Sequence, residues 1–562
     1  LMHCNEVIEK LFGYSFFYPK RNKHEIEQGV SVFYLQNIFT QEVAEYTNKS
    51  NNNTSKKTIY DIEDLSSETS LIRAKGASVL CTKDGKMGAS YVDCLRGKDH
   101  VGPANVMLSY SWGNTVEDIV DVLESYCSRN NLNPRQTYVW ICCLCVNQHR
   151  VLEDKKNGKN IPFEDFRDVF KNRVKEIKNI VALLSPWREP LYLKRVWCIF
   201  ELFTADDYKC KLSIQMPKRE TEDLKRSIYN SRSGVKINNE IYNALAGTEI
   251  EKAEASVDSD RINILNIVNK EGNGVTELDK RVNALLREWI HTSLVEFMHE
   301  LDDVVVNLQS SEKSVDEVID TYRYLGYMFY KNEHNKMALY CFNKQRVLCE
   351  ANYNFFHDLT ARSYNALGLV YKELEEYDEA IEYHKKSITI KEEIYGMNHA
   401  QTATSYFNIG SAYIEKEDYE TALHFYDKCR IINETKYGSE HQNTASVYNG
   451  IGLIHHRKKN YDEAKVYYMK SVVINEEVHG KNHPKAASSY SNIGLLYYDR
   501  KEYDKALEYW LMTVAIREKI LGSNHAHTLQ TYQNIHDAYK ATGEINKSLE
   551  YRRKCNNAVI VK

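Results

Sequence analysis

The sequence predicts a multi-domain chain: an α/β domain built on a parallel sheet, a helical connector, and an all-α solenoid of six stacked helical hairpins. Three observations carry this reading. A strict 42-residue period runs through the C-terminal half, as in stacked repeats. Residues 104–216 alternate short apolar strands with amphipathic helices, the rhythm of a doubly wound sheet. Residues 221–315 read as mostly helical, with Ile262, Ile264, Leu265, Ile267 and Val268 in one apolar stretch and Val282, Leu285, Leu286 and Trp289 in another. The expected division is residues 1–103, to which no fold is assigned, 104–220 for the α/β domain, 221–315 for the connector and 316–562 for the repeats.

Composition bounds the function. At 562 residues the chain is too long for a single core,. Hydrophobic residues at 43% and charged residues at 27% are ordinary for a soluble globular protein,. A net charge of -4 gives no electrostatic ground for nucleic acid or an anionic membrane as the main partner,. The longest apolar run, Val139–Val146, falls far short of the ~20 residues that span a bilayer. No signal-peptide pattern opens the sequence, and Leu1 stands where Met is expected, so the natural N-terminus is expected further upstream,. The 13 cysteines are odd in number, and Cys142, Cys143 and Cys145 have no second pair at zinc-ligand spacing,. In their strand-like apolar run they read as small buried hydrophobes. Many free thiols fit a reducing compartment, hence a cytoplasmic location.

The repeats are legible position by position. Gly326, Gly368, Gly410, Gly452 and Gly494 are 42 residues apart, and the next step lands on His536. Four residues earlier lie Tyr322, Tyr364, Tyr406, Tyr448, Tyr490 and Tyr532. Twelve later lie Ala338, Ala380, Ala422, Ala464 and Ala506, and then Ser548. A small residue at the Gly position lets two antiparallel helices approach closely, the Tyr fills the space one turn earlier, and the Ala marks the helix crossing. Such hairpins bury their apolar faces only by stacking into a superhelix. The last one loses both small residues, as a terminal repeat can.

The connectors repeat as well: Tyr395-Gly396-Met397-Asn398-His399, Tyr437-Gly438-Ser439-Glu440-His441, His479-Gly480-Lys481-Asn482-His483 and Leu521-Gly522-Ser523-Asn524-His525. The Gly fits a helix C-cap in the left-handed conformation, and the His reads as a loop hydrogen-bonding residue. With the period, these connectors resemble the tetratricopeptide repeats of kinesin light chains, over roughly residues 316–556. The resemblance implies that the first helix of each hairpin lines a groove for an extended polypeptide. It also implies that an Asn two residues before the small position bonds the peptide backbone. That position holds Tyr324, Ala366, Asn408, Gly450, Asn492 and Asn534, and the adjacent one holds Asn365 and Asn449. An Asn amide both donates and accepts, so it pairs with backbone whatever the peptide's side chains. Half of the positions lack Asn, so the ligand need not be a kinesin-type cargo peptide.

In the α/β segment, Asn105–Tyr110 reads as the first strand. A helix follows, capped by Asn114 or Thr115 and carrying Ile119, Val120, Leu123 and Cys127 at helical spacing,. Tyr138–Val146 reads as a central strand buried on both faces,. Then come a helix with Phe163, Phe166, Phe170, Val174 and Ile177, a strand at Ile180–Leu184, a helix at Arg195–Ala205 and a short strand at Leu212–Ile214. In such sheets the site lies beyond the C-terminal strand ends.

Those ends carry Ser109-Tyr110-Ser111-Trp112-Gly113 and Leu184-Ser185-Pro186-Trp187, followed by Trp197-Cys198-Ile199-Phe200-Glu201-Leu202. Together they resemble the TIR domain, which has a flavodoxin-like parallel sheet. With Val146-Asn147-Gln148-His149, they are similar to uncharacterised TIR-like domains of microbial eukaryotes that often end in tetratricopeptide repeats. Some TIR domains cleave NAD at the nicotinamide–ribose bond. The resemblance then implies Glu201 as the catalytic carboxylate, with Trp197, Tyr110, Ser111 and Trp112 around the nucleotide. No resident cofactor is implied, and NAD enters as substrate. A fixed anion stabilises the positive charge that builds on the ribose as nicotinamide departs. The blander reading makes Glu201 a surface carboxylate and Trp197 core packing. The chain also departs from the animal enzymes. Tyr110 is followed by Ser111 and Trp112 rather than by basic residues, and Arg188, Lys194 and Arg195 read as a solvated face. No Walker-type or dinucleotide Gly-rich loop occurs,.

The leading expectation is a cytosolic sensor-effector: the repeats bind a polypeptide, and the TIR-like domain cleaves NAD on clustering. The alternative is a non-catalytic adaptor that self-associates through the TIR-like domain. A kinesin-type cargo adaptor is disfavoured because no long N-terminal heptad region is present,.

Overall fold

The computed structural model describes residues 28–49, 57–63, 70–81, 83–156, 171–231, 234–246, 252–254, 258–271, 274–308, 313–353, 355–523 and 525–559. The chain divides into two units, Leu1–Asp303 and Val304–Lys562.

Among the described residues of the first unit, six strands form one sheet: β1 (Gln28–Ser31), β2 (Val101–Pro103), β3 (Val106–Ser109), β4 (Tyr138–Trp140), β5 (Asn179–Leu183) and β6 (Lys211–Gln215). Their order is β2-β1-β4-β3-β5-β6. Neighbours among β4, β3, β5 and β6 are parallel, whereas β1 runs antiparallel to both β4 and β2. The expected parallel sheet is thus the larger part of a mixed sheet. Its two further strands come from the segment 1–103 to which the sequence assigned no fold. All of β3 and most of β5 are buried, which explains their uninterrupted apolar runs. The strand order reverses direction between β3 and β5, and that is where an α/β sheet opens a crevice at its C-terminal edge.

Helix α1 (Val116–Arg129) begins at Thr115, whose hydroxyl accepts from Asp118 N. It buries Ile119, Leu123 and Cys127 as expected, with Val122 rather than Val120. The run Tyr138–Val146 is not one strand. β4 ends at Trp140, and α2 (Cys142–Cys145) is a helical turn closed by Cys145 N donating to Ile141 O at 2.8 Å. Every residue from Cys143 to Val146 is buried, so the run's apolarity reported burial and not extension. The described part of the Phe163–Ile177 helix, residues 171–177, is helical and buries Val174 and Ile177; Phe163, Phe166 and Phe170 lie outside the described residues, as does most of the polar stretch 48–57. Among the described residues of this unit, longer helices follow at α3 (Val196–Asp207), α4 (Lys218–Tyr229), α5 (Gly234–Ala246) and α6 (Asp258–Glu271). Helix α7 (Val275–Val306) runs to the edge of the unit, and its Arg281 Nε meets Asp206 of α3 at 2.9 Å. No disulfide joins the described residues.

The second unit is six helical hairpins. Their first helices are α8 (Val315–Lys331), α10 (Asp358–Glu373), α12 (Ala400–Glu415), α14 (Gln442–Arg457), α16 (Pro484–Asp499) and α18 (Ala526–Thr542). Their second helices are α9 (Asn335–Asn352), α11 (Tyr377–Tyr395), α13 (Tyr419–Tyr437), α15 (Tyr461–His479), α17 (Tyr503–Leu521) and α19 (Ile545–Val559). From α10 to α18, successive first helices pack directly on one another, while successive second helices approach less closely. The array therefore curves with the first helices on its inner face.

Each recurring residue has a mechanical reason. A Cβ at Gly326, Gly368, Gly410, Gly452 or Gly494 would lie 2.4–2.8 Å from the ring of Phe342, His384, Tyr426, Tyr468 or Trp510 on the partner helix. The five alanines are fully buried at the crossings. The Tyr does more than fill space. The hydroxyls of Tyr364, Tyr406, Tyr448, Tyr490 and Tyr532 donate at 2.5–2.8 Å to Glu350, Glu392, Glu434, Glu476 and Glu518 on the preceding hairpin. In the last hairpin a His536–Ser548 hydrogen bond of 2.8 Å replaces the Gly–Ala contact.

The connector His is an N-cap. Nδ1 of His399, His441 and His483 accepts from the backbone N two residues on, at 3.2 Å. Its ring stacks on Tyr395, Tyr437 or His479 one turn before, with centroids 4.4–4.8 Å apart. The connector Gly departs from the expected left-handed helical cap. Gly396 has φ 86° and ψ 160°, and its three counterparts match it. That region is open essentially to glycine alone, and it sends the chain out of the helix extended, towards the His cap.

Candidate functional site

Two places gather the residues singled out by the sequence. The first is the inner face of the array. Asn408 Nδ2 donates to Asn365 Oδ1 at 2.9 Å, and Asn492 Nδ2 donates to Asn449 Oδ1 at 2.9 Å. Each pair bridges adjacent first helices, α10 to α12 and α14 to α16. Among the described residues, Asn365 and Asn449 keep their NH2 groups, and Asn408 and Asn492 keep their carbonyl oxygens, without a further partner. Each pair thus offers one donor face and one acceptor face, the complement of a peptide group. Asn534 is not part of this ladder; its Oδ1 accepts from Gln530 on its own helix at 3.0 Å. Further cross-repeat bonds line the same helices: Lys372 Nζ to Ser411 Oγ at 3.4 Å, and His456 Nε2 to Asp499 Oδ2 at 2.9 Å. Leu495, 39% exposed, supplies apolar surface beside Asn492.

The second place is the C-terminal end of β3. Glu201, half-buried on α3, accepts a hydrogen bond from the Ser109 hydroxyl. Ser109 Oγ also lies 2.6 Å from the hydroxyl of Tyr192, which is fully buried. Burial pushes the Glu201 carboxyl up to about 7, and the Ser109 hydrogen bond only partly opposes it,. Glu201 is therefore not the plain surface carboxylate of the blander reading. Cys142 stands close by. Its thiol is raised to about 11 by burial, with the Glu201 charge contributing, and its Sγ meets the Tyr110 hydroxyl at 3.2 Å and Trp112 Nε1 at 3.3 Å. Cys198 Sγ lies 3.7 Å from Tyr110 O, and burial raises its thiol well above the ordinary value, with the Glu201 charge adding to it.

Of the residues expected around a nucleotide, Tyr110 and Trp112 share Cys142. Ser111 is buried, and its backbone N donates to Asn114 Oδ1 at 2.9 Å. Trp197 is half-buried with its ring edge-on to Phe200. Trp187 turns away into packing, its indole N–H donating to Asp223 at 2.8 Å. Arg188 is paired with Asp223 at 2.5 Å, and Lys194 with Glu189. Sequence reasoning missed Tyr192 and Cys142 as neighbours of Glu201. Ser109 was within reach, since it closes the first strand. It also missed the repeat glutamates, although Glu350, Glu392, Glu434, Glu476 and Glu518 keep the same 42-residue step as the tyrosines.

The profile of a family described as "Tetratricopeptide repeat" matches residues 317–393, 359–435, 401–477, 443–509 and 486–555. The C-terminal half therefore consists of tetratricopeptide repeats, while that profile leaves the α/β unit uncovered. No curated protein matches the chain. Among solved structures it is similar to BtubC (BKLC) from P. vanneervenii, at 16% identity over 44% of this chain and 92% of that one, with a TM-score of 0.33. It is similar to a Podosopora anserina protein assigned as a kinesin light chain with nearly identical TPR-like repeats, at 20% identity over 36% and 96%, TM-score 0.31. It is also similar to YrrB, "a TPR protein with an unusual peptide-binding site", at 18% identity over 39% and 91%, TM-score 0.24. Among the described residues no helix is long and apolar enough to cross a membrane.

Proposed function

We propose that this chain is a protein–protein adaptor that holds an extended polypeptide along the first helices of residues 316–562. The observation behind this reading is the pair of Asn–Asn bridges, each with one amide donor and one amide acceptor left over for a peptide group,. Asn534 belongs to the same reading with its amide turned to the ligand instead of Gln530. The test is pull-down from a peptide library followed by titration with the full chain. Replacing Asn365, Asn408, Asn449 and Asn492 together by Ala should weaken the recovered peptides at least tenfold. Unchanged affinity puts the ligand elsewhere.

A second reading makes the α/β unit a TIR-like enzyme that cleaves NAD when the protein clusters in the cytoplasm and self-associates through this unit. It is favoured by one observation: Glu201 accepts a hydrogen bond from Ser109 at the C-terminal end of β3, with its carboxyl raised to about 7. Tyr110, Ser111, Trp112 and Trp197 would surround the nucleotide. Only the ionised carboxylate stabilises positive charge on the ribose, so turnover should rise with pH through about 7,. Incubating the chain with NAD, with and without forced clustering, and assaying nicotinamide decides between the readings. Turnover abolished by Glu201→Gln supports the enzyme; no nicotinamide under either condition leaves the adaptor alone.

A further inference from the structure

We propose that the first unit carries a separate binding site for an uncharged, largely apolar small molecule, in the open cavity bordered by α1, the end of β6, α4, α5 and α7. The cavity measures about 300 Å³, the lower end of the range (~300–1,000 Å³) usual for small-molecule sites. Its walls are Leu224, Ile228, Ile241, Leu245, Leu294 and Phe297, each no more than 8% exposed. It is distinct from the Glu201 centre, since neither Glu201 nor Ser109, Tyr192 or Cys142 lines it.

The class of ligand follows from the charges. Three cations line the cavity, and each already has carboxylate partners. Arg129 meets Glu296 at 3.4 Å. Lys225 meets Glu222 at 3.2 Å and Glu300 at 2.5 Å, with its ammonium also 5.9 Å from the centre of the Phe297 ring. Lys218 meets Asp121 at 3.3 Å and Glu124 at 3.5 Å. An anionic ligand would have to break one of these pairs, and a cationic one would compete with the lysine or arginine for its carboxylate. An uncharged molecule disturbs neither and gains from the apolar wall. The hydroxyls of Ser125 and Ser293 on the lining can meet one polar group of such a ligand. The volume suits an aromatic compound of two or three rings,.

The test uses the full chain and the neutral dye N-phenyl-1-naphthylamine, which fluoresces when shielded from water. Saturable enhancement at one dye per chain is expected. Ile241→Trp fills the cavity and should weaken dye binding at least tenfold, with a thermal melt showing that the variant is folded. Should that fully buried position not accept Trp, Ser293→Phe narrows the cavity from its half-buried side and should give the same loss. The charged analogue 8-anilinonaphthalene-1-sulfonate should bind at least tenfold more weakly than the neutral dye. Absence of saturable enhancement, or enhancement unchanged in the folded filling variants, overturns the proposal. A preference for the charged dye overturns the assignment of ligand class.

Discussion

Replacing His384 by Phe should stabilise the repeat array and remove part of its sensitivity to acid. His384 stands where four other hairpins carry Phe342, Tyr426, Tyr468 and Trp510, with its ring over Gly368. It is fully buried, and neither ring nitrogen has a partner among the described residues. Burial first, and then the ammonium groups of Lys372 and Lys391, lower its pKa from 6.5 to about 3. The unfolded chain thus takes up a proton below pH 6.5 that the folded chain refuses until about pH 3,. This contribution to stability is fully present above the unfolded value and is lost at ~1.4 kcal/mol per pH unit as the pH falls between the two. Phe fits a slot of the kind that already accepts Phe342 and removes both unpartnered nitrogens, for a gain of about 1–3 kcal/mol near neutral pH. At about pH 5 linkage should widen the difference by a further ~2 kcal/mol. Urea unfolding at both pH values, with hydrogen exchange on residues 358–395 to localise the effect, measures it. A variant no more stable than the parent, or a difference that stays constant on acidification, would refute the reasoning.

Three further outcomes are expected. Tyr448→Phe deletes one inter-hairpin hydrogen bond to Glu434 and should cost about 1–2 kcal/mol, read as faster exchange on both sides of that junction. Gly410→Ala drives a methyl to within 2.8 Å of the Tyr426 ring and should cost about 1–3 kcal/mol in a urea melt; a neutral result would mean that the hairpin opens freely. Glu201→Gln should alter the pH dependence of the first unit. Its folded pKa of about 7 lies above the ordinary 4.5, so the wild type loses stability as pH rises between these values. The variant should match it near the lower value and exceed it by about 1–3 kcal/mol above the higher one. Equal stability at alkaline pH would show that the carboxylate is better solvated than its packing implies.

The repeats were legible because periodicity is a one-dimensional signal. Gly, Tyr and Ala each sit in a contact that recurs at fixed sequence separation, so the spacing alone exposes the geometry. The connector Gly was legible as a residue of positive φ but not in its ψ, which is set by where the chain must go next. The strand–helix alternation gave β3, β5 and β6 within a residue or so at each end. It overran β4, because Cys143, Leu144 and Cys145 are as buried in a helical turn as they would be in a strand. It could not find β1 and β2, because β1 pairs with β2 and β4, both distant from it in sequence. At the end of β3, Glu201 was visible through a motif, whereas Tyr192 and Cys142 reach it only through the fold, from two separate helical turns with no shared spacing.

The tyrosine–glutamate bonds have a consequence for how such an array changes length. The two partners are always 14 residues apart in sequence, yet they lie on opposite sides of a junction between hairpins. A duplicated block of 42 residues therefore arrives carrying a tyrosine for the hairpin before it and a glutamate for the hairpin after it. Lengthening or shortening by whole blocks leaves every interior seam closed, while an insertion between a glutamate and its tyrosine moves the two out of step. The array is in that sense indexed: its copy number is free to drift, and its reading frame is not.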